Sequence, residues 1–263
     1  MRGWGPLGNL MHVMRSQTPK TTPPIYTLLF VNTATIQRSW YARIFHWTIR
    51  LLSSETKHQA FIPKLKDNIL GRLLNRDYEG DSYGEFTDKE RSTVRISGER
   101  IYRSKMMRIN YTTYDVRRDT DTIKIGSYPD IMVESPETGP DAQPYWYARV
   151  IGVFHALVSS SHVGVGERSL RRMDFLWVRW FGVEPGRYRH GFHYARLPKI
   201  GFVESSDPYA FTFLDPAQAI RGVHTIPAFS EGRTSALLPN AKSVARILNP
   251  EEDDDWVNFY VNM

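Results

Sequence analysis

The residues best suited to chemistry lie in a basic and aromatic stretch, residues 165–200. This stretch carries eight Arg and Lys side chains against three Asp and Glu, a local charge of +5. Aromatic residues alternate with the cations, and the two types together favour contact with phosphates and stacking on bases. The cations predicted to contact nucleic acid are Arg168, Arg171, Arg172, Arg187, Arg189, Arg196 and Lys199.

A second interpretation of this stretch stays open. Trp177 and Trp180 suit a protein core, and the arginines could pair with acids of the chain itself. Arg149 and Arg179 in particular fall inside predicted strands, so structural partners are expected for both.

An aromatic pocket is the other candidate site. Tyr145, Tyr147 and Trp177 fall on predicted strands and could line a cage for a cationic side chain such as methyl-lysine. Core packing is the commoner use of such rings and remains the alternative.

No catalytic, metal or cofactor site is predicted. The chain has no Cys, which excludes disulfides, thiolate nucleophiles and Cys-ligated metals. His190, His193 and His224 could bind a metal together with a carboxylate. Their spacing matches no metal motif, however, so surface or hydrogen-bonded histidines are expected. No phosphate loop or nucleophile elbow occurs either, so we do not expect an enzyme.

Charge is distributed unevenly along the chain. The 34 basic and 28 acidic side chains give a net charge of +6, and residues 1–60 alone carry seven basic and one acidic side chain. The remaining residues therefore sum to zero, and any basic binding surface on them must be a local patch. No apolar run reaches the roughly 18 residues of a membrane span, so no membrane partner is expected.

The elements that would position these residues are mainly β, with flanking helices. Apolar residues recur with a period of two over 145–155 and 173–181. Neighbouring strands of this kind predict a small curved antiparallel sheet or a partly open barrel. The predicted core residues are Trp146, Val150, Phe154, Leu176, Val178, Trp180, Val223 and Ile226.

The predicted organisation has three parts. They are a poorly ordered or helical basic leader over 1–60, a helical linker segment over 61–91, and a β-rich domain over 92–263 with a barrel-like core around 130–230.

Several local elements are predicted within these parts. Helical spacing of apolar residues predicts helices over 36–52 and from Pro63 to about Asn75, and a short helix near Thr87. A hairpin turn is predicted at Ser97–Arg100.

Five segments carry a resemblance to a known family. They are Asn110–Arg117, Asp130–Val133, Pro144–Gly152, Arg172–Gly182 and Phe213–Pro216 continuing to His224–Phe229. Over residues 60–263 the chain resembles the C-terminal region of Plavaka-type transposon proteins of mushroom-forming fungi, which are allied to Kyakuja–Dileera–Zisupton elements.

In that family the matching region follows the transposase core. The resemblance therefore implies a fragment without the nuclease domain. We expect it to act in the nucleus as a non-catalytic accessory module that binds chromatin protein or nucleic acid such as DNA. An enzymatic role in transposition, as part of a nuclease, is the alternative and would need three carboxylates that converge on a divalent metal. A decayed gene without selected activity, and a chain truncated after Trp256–Asn262, are also consistent with the resemblance. The leader has the composition of a transit peptide, which makes a mitochondrial location the alternative.

A weaker likeness concerns the fold alone. Residues 130–230 resemble a bromo-adjacent homology domain, a small β-barrel that binds chromatin proteins or modified histone tails. Likeness at the level of fold does not establish function.

Overall fold

The computed structural model describes residues 33–35, 46–48, 61–76, 84, 86–113, 117–127, 129–138, 142–166, 168–183, 197–238 and 254–262. The chain divides into two compact units, Met1–Phe30 and Val31–Met263, and every described residue belongs to the second unit. Most of the predicted leader therefore lies outside the described residues.

The described part is mostly β, with few helices, as the sequence predicts. Its helices are α1 (Phe61–Leu73) and α2 (Asp88–Ser92). Its strands are β1 (Thr33–Thr35), β2 (His46–Thr48), β3 (Val94–Ile96), β4 (Arg100–Ser104), β5 (Met106–Thr112), β6 (Arg118–Lys124), β7 (Asp130–Glu134), β8 (Tyr145–Ser160), β9 (Arg171–Val183), β10 (Lys199–Phe202), β11 (Phe211–Leu214), β12 (Ala219–Gly222), β13 (His224–Pro227), β14 (Arg233–Thr234), β15 (Asp255–Trp256) and β16 (Phe259–Asn262).

The antiparallel pair β8–β9 is the centre of the main sheet. The strand order is β12-β7-β8-β9-β10-β16-β13, with β3 and β4 on β8 and β11 on β9. The strands β12 and β13 stand at opposite ends of this order, yet they follow one another in the chain through Val223. The antiparallel sheet is therefore curved, as predicted, although strand pairing does not close it into a barrel.

A β-bulge divides β8 into two halves. Val150 pairs with Val178 and Gly152 with Trp177, which leaves Ile151 as an extra residue. Beyond the bulge, Gly152 and Phe154 face the same side as Tyr147 and not that of Val150. The period of two over 145–155 predicts one continuous face, and this is wrong, because the bulge at Ile151 reverses the alternation.

Six of the eight predicted core residues are buried. Trp146 is only half-buried, and its indole nitrogen donates to the exposed Glu137 at 2.9 Å. Ile226 is exposed on β13, the last strand in the sheet order.

Two local predictions are also wrong. Residues Ser97–Glu99 do not form a hairpin turn, because β3 and β4 both pair with β8 in the same direction. The turn is a three-residue insertion that uses positive φ at Gly98 (60°) and Glu99 (52°). Within the helix predicted over 36–52, residues His46–Thr48 form β2 and pair with β4.

Helix α1 covers the outer edge of β11. Three polar side chains, four residues apart on the helix, donate to main-chain carbonyls: Lys64 to Phe211 at 2.6 Å, Asn68 to Phe213 at 3.1 Å and Arg72 to Asp174 at 2.7 Å. An edge strand otherwise leaves such groups unpaired. The helix predicted from Pro63 is confirmed, and its polar row explains where it docks.

We expect Asn68→Ala to lower the free energy of unfolding by about 1–3 kcal/mol, because the buried Phe213 carbonyl loses its donor. Urea unfolding of the full chain measures this. Lys66→Ala on the same helix is the control, and an equal loss in both variants would contradict the edge-covering role.

Candidate nucleic-acid interface

The structure describes part of the predicted basic patch and does not leave all of it free. Arg168 is exposed and Arg171 half-buried. Arg172 pairs with Asp174 at 2.7 Å. Lys199 is buried and bonds Glu231, which also accepts from Asn258 at 2.6 Å. For Lys199 the prediction of a phosphate contact is wrong, since an internal acid holds its ammonium group. Arg187, Arg189 and Arg196 lie outside the described residues.

The predicted aromatic pocket does not open to solvent. Trp177 is 1% exposed and Tyr147 is 3% exposed. Phe181 pairs with Tyr147 across the strands and lies four residues along β9 from Trp177. Burial, together with the nearby half-buried Tyr145, raises the pKa of Tyr147. The core interpretation therefore replaces the cage.

Two arginines face each other inside the curved sheet. Arg149 and Arg179 are directly opposed on β8 and β9, an arrangement of like charges that destabilises a sheet unless acids neutralise it. Asp130 accepts from Arg149 at 2.7 and 2.8 Å, and Asp255 accepts from Arg179 at 2.9 Å. The expectation of structural partners for both arginines is confirmed.

A phenylalanine ring lies close to both guanidinium groups. The Cζ atoms of Arg149 and Arg179 lie 4.9 and 3.8 Å from the centre of the Phe202 ring. Burial lowers the pKa of Arg149, but the charges of Asp130 and Asp255 outweigh it and raise that pKa overall. This internal network ties β7, β8, β9, β10 and β15 together and offers no exposed cation.

An exposed basic surface lies elsewhere among the described residues, on the hairpin β5–β6. Strand register places Arg108 opposite Thr122, Asn110 opposite Thr120, Thr112 opposite Arg118 and Met106 opposite Lys124, all on one face. We call this surface the basic hairpin face. Its polar members are Arg108, Asn110, Thr112, Arg118, Thr120, Thr122 and Lys124, of which all but the half-buried Thr112 are exposed.

The hairpin separates its charges by face. Asp119 and Asp121 alternate with the cations and point to the other side. There Asp119 accepts from Tyr111 at 3.1 Å, and Asp121 accepts from the Gly222 main chain at 2.9 Å. Among the described residues, no carboxylate pairs with the three cations of the front face.

The back of the hairpin is anchored to the main sheet. Met107, Ile109 and Ile123 are buried there. Arg221 of β12 lies 3.4 Å from Asp121, and its Cζ atom is 4.5 Å from the centre of the Tyr111 ring. Strand β1 pairs with the edge of β5 that faces away from β6, with Thr33 opposite Asn110 and Thr35 opposite Arg108. The basic face is therefore carried on a fixed three-stranded support.

Sequence reasoning missed this face although a signal was present. Met107, Ile109 and Tyr111 alternate as in a strand, and the polar positions between them hold Arg108, Asn110 and Thr112. Strand β6 has one buried apolar residue, Ile123, so apolar alternation gives no strand signal there.

The described residues form neither a metal site nor a membrane-spanning helix. No group of three or more His, Asp or Glu side chains among them lies close enough to hold a metal ion. Nor does any described helix have the length and apolar character to cross a membrane. No known family model, curated protein or solved structure matches the chain.

Proposed function

We propose that the chain is a non-catalytic module that binds nucleic acid through the basic hairpin face. The supporting observation is the separation of charge on β5–β6. Three cations point outward and pair with no carboxylate of the described residues, while Asp119 and Asp121 lie on the opposite face. Unpaired surface cations on a rigid element are the groups that replace counterions along a phosphate backbone.

The resemblance to fungal transposon proteins agrees with this proposal, since a module that follows a transposase core would act beside DNA. A nuclear, accessory role follows from the same resemblance and is part of the proposal. Binding of a histone peptide has less support, because Tyr147 and Trp177 of the predicted cage are buried.

We expect the triple variant Arg108→Ala, Arg118→Ala, Lys124→Ala to lose most affinity for mixed-sequence nucleic acid. Each cation that contacts a phosphate contributes about 0.9 to the slope of log K against log salt on a duplex, and about 0.7 on a single strand. The slope should therefore become shallower by about two to three. Fluorescence anisotropy of the full chain across a salt series measures affinity and slope together.

The matched control removes the same charge from other elements. Lys89, Arg95 and Arg100 are exposed on α2, β3 and β4, and their triple alanine variant should keep nearly the parent slope. Equal losses in both variants would show a diffuse charge effect and contradict the proposed face. Absence of binding by a folded parent chain would reject nucleic-acid binding altogether.

A further inference from the structure

The geometry points to duplex DNA as the ligand and to Asn110 as a base-reading side chain, positioned by Thr120, in the major groove. This inference rests on the proposed function and narrows it to one class of nucleic acid. It follows from three features of the basic hairpin face: the order of its side chains, its width, and one hydrogen bond within it.

The side chains of the face are ordered in cross-strand rows. Arg108 with Thr122, Asn110 with Thr120, and Arg118 with Thr112 form three successive rows, about 6.8 Å apart along the strands. Arg pairs with guanine, Asn pairs with adenine, and the Thr methyl contacts the methyl group of thymine. The central row holds the neutral amide, with a cation in the row on each side. This order suits base contact in the middle and phosphate contact around it.

The width of the support favours one groove. The side chains of the face stand on β5 and β6, a two-stranded β-ribbon whose strand axes lie about 4.8 Å apart. The major groove of B-form DNA is about 12 Å wide and the minor groove about 6 Å. The major groove of duplex RNA is deep and too narrow for side chains to read. The major groove of B-form DNA admits a two-stranded β-ribbon, so we assign the ribbon β5–β6 to that groove.

Single-stranded nucleic acid fits the face poorly. Proteins that bind it stack successive bases on exposed aromatic rings. None of the seven polar members of the face is aromatic, and Tyr111 points to the opposite side, where Asp119 and Arg221 contact it. The described residues of the face therefore offer no stacking platform, which is the main source of affinity for unpaired bases.

A hydrogen bond holds Asn110 ready for a base edge. The Thr120 hydroxyl donates to the Asn110 carboxamide oxygen at 2.9 Å. The oxygen keeps a second lone pair, and no hydrogen bond joins the amide nitrogen to another of the described residues. The amide is thus fixed in rotation while the groups that pair with adenine remain available. Thr120 acts as a positioning residue, and its hydroxyl should matter for sequence preference more than for overall affinity.

The experiment first selects duplexes from a randomised DNA pool with the full chain. Anisotropy then compares a selected duplex, the same duplex with its preferred adenine changed to guanine, a single strand and a duplex RNA of that sequence. We expect the parent to prefer the selected DNA duplex. Asn110→Ala should reduce its preference over the changed duplex by about 5- to 150-fold. Its salt slope should stay unchanged.

Two further variants separate the roles. Thr120→Val keeps the shape of the side chain but removes its hydroxyl, and should reduce the same preference by about 3- to 10-fold. Lys124→Ala should weaken binding to every duplex and reduce the salt slope by about one, without changing the preference.

The outcomes distinguish this inference from the proposed function. If the parent binds nucleic acid but selection yields no preferred adenine, or if Asn110→Ala leaves the preference intact, base reading by Asn110 is overturned and only phosphate binding remains. Stronger binding to a single strand or to duplex RNA overturns the assignment to DNA. If the folded parent binds none of the four probes, the proposed function itself fails.

Discussion

Replacing Asp130 with Ala is expected to lower the free energy of unfolding by about 3–5 kcal/mol. Asp130 is 4% exposed, and both of its carboxylate oxygens accept hydrogen bonds from Arg149. One oxygen also accepts from the Thr225 hydroxyl at 2.6 Å. Without the acid, the half-neutralised pair Arg149 and Arg179 would remain in a low-dielectric interior. Urea unfolding of the full chain measures the loss.

A double variant distinguishes the cost of an unpaired buried charge from the cost of lost packing. Asp130→Leu with Arg149→Met removes both charges together, and should be much more stable than Asp130→Ala, because well-packed apolar groups often replace a buried pair without cost. Asp88→Ala is the surface control, since its carboxylate is exposed beside Arg91. A loss below about 0.5 kcal/mol in Asp130→Ala would contradict a structural role for the network.

The loss of unfolding free energy in Asp130→Ala should be nearly independent of pH and salt. The pKa of Arg149 is raised in the folded protein. A basic group of this kind stabilises the fold at every pH below its unfolded pKa, so Arg149 stays charged across the ordinary range. The difference between parent and variant should therefore be the same at about pH 6 and about pH 9. Burial also limits screening of the pair by salt.

The central part of the fold follows from local sequence patterns. Strands β8 and β9 carry long apolar alternation, and α1 has a clear apolar face, so each is recognisable without knowledge of its neighbours. The bulge at Ile151 is different, because an extra residue is defined only by the partner strand that it fails to match. Face assignments beyond it therefore could not be made from the sequence of β8 alone.

The sequence alone also does not show which cations of the candidate site are paired with acids in the folded protein. The density of Arg and Lys over residues 165–200 predicts a binding surface there. In the folded protein, however, Arg172 pairs with Asp174 and Lys199 pairs with Glu231. Along the hairpin the cations are sparse in sequence and mixed with acids, so residues 106–124 carry four basic and three acidic side chains. Only the period of two in a strand separates them, with Arg118 on one side and Asp119 on the other.

Replacing Trp177 with Ala is expected to lower the free energy of unfolding by about 3–5 kcal/mol. Its ring lies 5.0 Å from Phe61 of α1, 4.5 Å from Phe213 and 6.1 Å from Phe211, measured between ring centres. Removing the indole would leave a cavity between the helix and the sheet. Thermal or urea unfolding of the full chain should show the loss.

Trp177→Phe is the informative partner of this variant. Among the described residues the Trp177 indole nitrogen has no hydrogen-bond partner, so Phe removes an unpaired buried donor while keeping much of the ring contact. We therefore expect a far smaller loss of stability for Phe than for Ala. If Phe were as damaging as Ala, the indole nitrogen and not ring packing would carry the effect. If both variants kept parent stability, Trp177 would not be a core residue and the cage would again need consideration.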